Sequence, residues 1–101
     1  MATRLELQSK LEELLGSRNV YYQPPESLKI EYPAIIYTKD KIDVYRAGNR
    51  KYITNNRYSI TVIDKKADNP VIERILDLPY CSHDRNYKSD NLNHDVLTLY
   101  F

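Results

Sequence analysis

The stretch RYSITVID, residues 57–64, restricts the fold more than any other part of this chain. Within it Tyr58, Ile60 and Val62 alternate with Ser59, Thr61 and Ile63, so one side of a strand is wholly apolar and the other mixed. Two other segments read as helices, each with one apolar side that needs a sheet. Residues 3–15, TRLELQSKLEELL, place Leu7, Leu11, Leu14 and Leu15 at helical spacing, with Leu5 at the edge of the stripe. Thr3 and Glu6 stand at capping-box spacing, and Gly16 supplies the stop. Residues 67–80, ADNPVIERILDLPY, read as a shorter helix capped by Asp68 or Asn69, with Pro70 in its first turn. Val71, Ile72, Ile75 and Leu76 form its buried stripe and Pro79 ends it. The leucine repeat covers barely two heptads, too few for a coiled coil, so both helices are expected on the chain's own sheet.

The remaining strands follow from composition and punctuation. Val20–Tyr22 is short and runs into Pro24–Pro25, whereas Tyr32–Thr38 is β-rich and carries Pro33 near its start. Cys81–Tyr87 and Leu92–Phe101 pair as a hairpin through Lys88–Asn91, where Asp90, Asn91 and Asn93 readily bond their own backbone. Apolar density drops between them and the first strands: residues 39–51 are expected to be an exposed or mobile connection, or a hairpin tip turning at Gly48–Asn49. The order is α-β-β-β-α-β-β. These elements imply a single α+β domain, 1–101, with a mostly antiparallel sheet of four to five strands and two helices packed on one face. In the last strand Val96, Leu97, Leu99, Tyr100 and Phe101 are bulky on both sides, which points to central placement or to contact with another subunit.

Charge and cysteine content exclude several function classes. Fifteen Lys and Arg against fourteen Asp and Glu leave +1, with both signs spread along the chain, which argues against strong nucleic-acid backbone binding. Tyr21, Tyr22, Tyr45 and Tyr52 do interleave with Arg46, Arg50 and Arg57, so a nucleic-acid-binding module that stacks bases is the alternative, one that salt-dependent retention on single- or double-stranded DNA would revive. Ten tyrosines against one phenylalanine equally suit half-buried sheet faces and protein interfaces. The lone Cys81 leaves no internal disulfide and fits a reducing cytoplasm. No apolar run approaches the ~20 residues of a membrane span, and the first residues lack a signal core.

Candidate chemistry concentrates near the end of the chain. Cys81 and His83 share a strand face, and His94 on the next strand could pair across from them, so a zinc site or a Cys–His nucleophile is conceivable. Zinc signatures present two closely spaced ligand pairs, and only one is evident here; a nucleophile needs an oxyanion hole for which no Gly-rich turn is present. Asp77, Asp84, Asp90 and Asp95 show no spacing that selects two carboxylates across a cleft. P-loop, dinucleotide and zinc-protease motifs are all missing. No enzyme activity, metal or cofactor is therefore expected.

The strings YPAIIY, RYSITVID and LPYCSHDRNYKSDNLNHDV resemble a family of small tail or neck proteins of tailed phages and prophages of Gram-positive bacteria. The likeness runs from Tyr32 onward and is nearest to tail terminators. It implies a subunit that forms a hexameric or other ring with itself, caps the tail tube and meets the head-side neck proteins. A head-closure, other neck or minor capsid role is the alternative. It also implies assembly in the host bacterial cytoplasm, followed by residence in the virion tail or neck. Carried onto this sequence, the contact loop would hold Lys41, Tyr45, Arg46, Arg50 and Tyr52. Subunit packing would fall to Tyr58, Ile60, Val62, Leu97, Leu99 and Phe101. Mixed charges at Asp64, Lys65, Lys66 and Asp68 would help to set register.

Overall fold

The computed structural model describes residues 4–25, 27–48, 50–66 and 69–101, and gives only the backbone of residues 43, 45 and 50–55. Two helices, α1 (Arg4–Leu15) and α2 (Val71–Leu76), accompany five strands: β1 (Val20–Tyr22), β2 (Ala34–Ala47), β3 (Arg50–Asp64), β4 (Cys81–Ser89) and β5 (Leu92–Tyr100). The strands form one sheet in the order β1-β2-β3-β5-β4. Every pairing is antiparallel except β1 with β2, which run parallel at one edge. The chain is an α+β protein with the expected element order.

The register explains why both helices sit on one side. Tyr37 lies opposite Ile60 and Ile35 opposite Val62, while Leu97 and Leu99 lie opposite Ile60 and Tyr58. Strand alternation puts these residues on a single face. That face joins Leu7 and Leu11 of α1 and Val71 and Ile75 of α2 in one buried cluster. Burying a Leu or Ile side chain contributes about 1.5–3 kcal/mol, so this layer is the main source of stability. β5 lies between β3 and β4, with Leu97 and Leu99 in the buried cluster and Val96 and Tyr100 on the opposite face. Leu5, at the edge of the α1 stripe, points outward and is 66% exposed.

Polar groups fasten the helices at defined points. Tyr37 donates its hydroxyl to Gln8 Oε1 at 2.5 Å, and Gln8 Nε2 donates to the Val20 carbonyl at 2.9 Å, tying α1 to β1 and β2. Arg74 Nη1 donates to the Leu14 carbonyl at 3.0 Å, joining the helices. Asn69 Oδ1 accepts the Val71 amide at 2.9 Å and thereby caps α2, while Asn69 Nδ2 reaches Asp64 Oδ2 at 2.7 Å. Asp68, the other expected cap, and Thr3, of the capping box, lie outside the described residues. Gly16 ends α1 at φ +78, with its amide on the Glu12 carbonyl. Asp90 and Asn91 both have positive φ, the conformation a tight two-residue turn demands between Ser89 and Leu92.

One expectation needs correcting. Residues 39–47 are not an irregular connection: they continue β2 as strand, paired with β3 as far as Ala47↔Arg50, with Gly48 at φ +58 beginning the turn. Only the hairpin alternative has the right form, and it is far longer than a tip. The paired register of β3 with β5 ends at Arg57↔Tyr100, and the Phe101 amide adds one bond to the Asn56 carbonyl at 3.0 Å, so beyond Asn56 the hairpin is a two-stranded arm.

Tyr37 and Tyr58 are both fully buried, yet only Tyr37 has a hydrogen bond, the Tyr58 hydroxyl having no partner. Tyr37→Phe is expected to cost about 1 kcal/mol in urea unfolding, and Tyr58→Phe to be neutral or stabilising by a similar amount. Burial pushes both phenols above their usual 10.0. Folding therefore favours their neutral forms, and that stability is intact below pH 10 and lost as pH rises beyond it. The thermal midpoint should fall above about pH 10, less steeply in Tyr58→Phe. Asn69→Ala should cost about 1 kcal/mol through loss of the α2 cap.

Candidate functional site

The arm combines charged residues with two exposed aliphatic side chains, Ile42 and Val44. From Lys41↔Arg57 to Ala47↔Arg50 it extends roughly 20 Å at the usual strand rise. A register shift between Lys39 and Lys41 marks its root. There Arg57 Nε bonds Asp40 Oδ1 at 2.9 Å, and Lys39 Nζ sits 5.7 Å from the centre of the Tyr58 ring, closing the end of the core. Ile42 pairs with Asn56, which alternates with Tyr58 and Ile60 along β3. Ile42 and Val44 thus prolong the core-facing row of the sheet past the helices, and they are 50% and 41% exposed.

Of the five expected contact residues, Lys41 and Arg46 are exposed on β2. The side chains of Tyr45, Arg50 and Tyr52 lie outside those described, but their backbones belong to the arm: Tyr45 opposes Ile53, Arg50 opposes Ala47, and Tyr52 falls at a second register shift. The fold therefore brings all five onto one ribbon. It does not assemble the stacking platform. Tyr22 packs at 5.0 Å from Tyr37 under the Arg4 guanidinium, and Tyr21, opposite Ile36, is nine residues along β2 from Tyr45, roughly 30 Å.

The expected subunit-packing residues are placed differently. Tyr58, Ile60, Val62, Leu97 and Leu99 are 0–1% exposed beneath the helices, so their side chains hold the monomer's core and are not available to a neighbour. Phe101 packs on the edge of the same cluster and is half-buried. The opposite face carries Ile36, Thr38, Ser59, Thr61, Val96 and Thr98, all half-buried, and neither helix packs there.

At the far edge the register separates the Cys and His residues. Cys81 and His83 oppose Leu99 and Leu97 on the helix side. An irregularity between His83 and Arg85 then shifts the alternation, and His94 opposes Tyr87 on the other side, its ring stacked 4.7 Å away. His94 cannot pair across from Cys81 and His83, and among the described residues no group of three or more His, Cys, Asp or Glu is placed to hold a metal. Burial, and then Asp84, push the Cys81 thiol upward, which opposes thiolate chemistry.

Asp95, 7% exposed, instead anchors the edge strand: its Oδ1 lies 3.0 Å from His83 Nε2 and accepts from Asn86 Nδ2 at 3.0 Å. It lines an open depression of about 630 Å³ between Asn69, Pro70 and Glu73 at the start of α2 and Asn86 and Asn93 on the last hairpin. Ile72 and Pro70 give it an apolar side, and the amides and carboxylates of the other residues provide hydrogen-bonding groups.

Sequence reasoning missed Ile42 and Val44 as surface residues, although their i,i+2 spacing among charges was the available signal. Asp95→Ala is expected to cost about 1 kcal/mol through loss of its bonds to the exposed His83 and Asn86 side chains, which water can then solvate, with amide protection lost first in β4. Searches against protein-family models, curated proteins and solved structures match none of them to this chain.

Proposed function

We propose that this chain is a structural assembly protein of a tailed phage or prophage, a ring-forming tail terminator that caps the tail tube and supports head–tail joining. The arm supports this reading most directly. A two-stranded ribbon with exposed Ile42 and Val44 lacks a core of its own, and isolated hairpins are marginal in water. A surface of this kind is stabilised by a macromolecular partner that covers it. The resemblance in YPAIIY, RYSITVID and the last hairpin supplies the identity of the assembly, and the same arm occupies the segment that the resemblance assigns to contact. Closed rings built from one chain use heterologous contacts, in which two different surfaces of the subunit meet. On this reading the protein works in the host cytoplasm during assembly and then stays in the virion neck, with no cofactor.

The test combines mass and activity. Light scattering over a concentration series is expected to show the mass climbing towards that of a ring, near six subunits. Added to polymerising tail-tube protein, the chain should halt elongation and appear as a cap at one tube end in electron micrographs. Tubes that elongate normally and stay uncapped at saturating protein would overturn the terminator role. Binding to the head-side neck protein instead would indicate head closure.

A further inference from the structure

The +1 of the whole chain conceals a segregation that emerges once the hairpin is seen as a unit. Residues 39–57 hold six basic residues, Lys39, Lys41, Arg46, Arg50, Lys51 and Arg57, against Asp40 and Asp43, a balance of +4. The rest of the chain holds nine basic residues against twelve acidic, a balance of −3. Opposite charge on two surfaces of one subunit favours association of copies in a fixed direction and opposes contact of arm with arm.

The outer side of α1 matches the arm in chemistry as well as in sign. Leu5 is 66% exposed, an apolar group with the same need for cover as Ile42 and Val44. It lines a shallow groove of about 410 Å³ with Glu6, Ser9, Lys10 and Glu13. Lys10 approaches Glu13 only at 4.0 Å, and the Glu13 side chain is 72% exposed. The groove is thus apolar at Leu5 and net acidic around it, while on the arm Ile42 and Val44 stand between the exposed basic residues Lys41 and Arg46.

We propose that the helix-side face of the arm, centred on Ile42 and Val44, docks on the outer face of α1, centred on Leu5 and Ser9, of a second copy of this chain. The inference rests on the ring-forming reading and specifies its contact. The occupant is a second copy because the same chain carries both complementary surfaces, each apolar at its centre and opposite in charge at its rim. An interaction with nucleic acid would use the basic rim alone and leave the apolar residues of both surfaces uncovered. The contact is heterologous, so every copy in a ring gives one arm and receives another.

Directional cross-linking tests this. In a Cys81→Ser background, Val44→Cys and Ser9→Cys are made as separate proteins and mixed in equal amounts at concentrations where the parent protein associates, then treated with a mild oxidant. The expected product is the mixed Val44→Cys/Ser9→Cys dimer in clear excess over either self-pair. A chain carrying both substitutions should give a ladder of higher multimers. Ile42→Asp with Val44→Asp, checked for parental circular dichroism, should weaken self-association tenfold or more. Absence of the mixed cross-link while the parent protein still forms rings would overturn this contact and leave the ring reading standing. A parent that is monomeric at every concentration would overturn both in solution, and tube capping would then judge the terminator role separately. Loss of DNA retention in the Asp variant, with association unchanged, would also overturn the proposal in favour of a nucleic-acid partner.

Discussion

The row formed by Tyr58, Ile60 and Val62 is the constraint on which the other elements depend. It lies in β3, flanked by β2 on one side and β5 on the other, and its apolar face must be removed from water. Ile35 and Tyr37 extend the face one way, Leu97 and Leu99 the other, and the helices close it with Leu7, Leu11, Val71 and Ile75. Each helix is short and has only one apolar stripe, so neither is expected to be stable without this surface. The sheet in turn cannot keep that face wet. Helices and strands are therefore mutually dependent, and the Gln8–Tyr37 and Arg74–Leu14 bonds set the geometry of a contact that burial drives.

The helical cover is shorter than the hairpin beneath it, and the functional reading grows from that mismatch. Where the helices end, Lys39 lies over the Tyr58 ring, and past that point the same row continues as exposed Ile42 and Val44. The hydrogen-bond ladder holds the arm in strand form without a third strand beside it. Its exposed apolar side and its basic residues are separate physical demands, one for cover and one for negative charge. A partner that offers both meets them together.

The edge carrying β4 illustrates a different use of polar residues. Cys81, His83, Asp84, Asp95 and His94 form a string that could serve metal or acid–base chemistry, yet the register gives it structural duties. Asp95 holds His83 and Asn86, His94 stacks on Tyr87, and Thr98 donates to Asp84. These contacts tie an otherwise exposed edge strand to β5. Its irregularity and charged residues are also the devices by which sheet edges resist unwanted pairing.

Local signals in the sequence determined the element order, the apolar stripe of each helix, the stop at Gly16 and the existence of the last hairpin, because capping, periodicity and turn composition are properties of short segments; the hairpin's turn, expected over Lys88–Asn91, is confined to Asp90–Asn91. Residues 39–47 were misjudged as a connection because a two-stranded ribbon buries no face, and its strands therefore lack the apolar density by which strands are recognised. Equally, periodicity identified Tyr58, Ile60 and Val62 as one apolar face, and the last strand as bulky on both sides, without joining Leu97 and Leu99 to that face or excluding a neighbouring subunit as its cover. Tertiary structure decided that the chain's own helices cover it. It also placed His94 on the opposite side of the sheet from Cys81 and His83, since the register and a single irregularity between strands control which side chains meet. The separation of a basic arm from an acidic body belongs to the same class: the charges are written in the sequence, but only the pairing of β2 with β3 gathers them onto one hairpin.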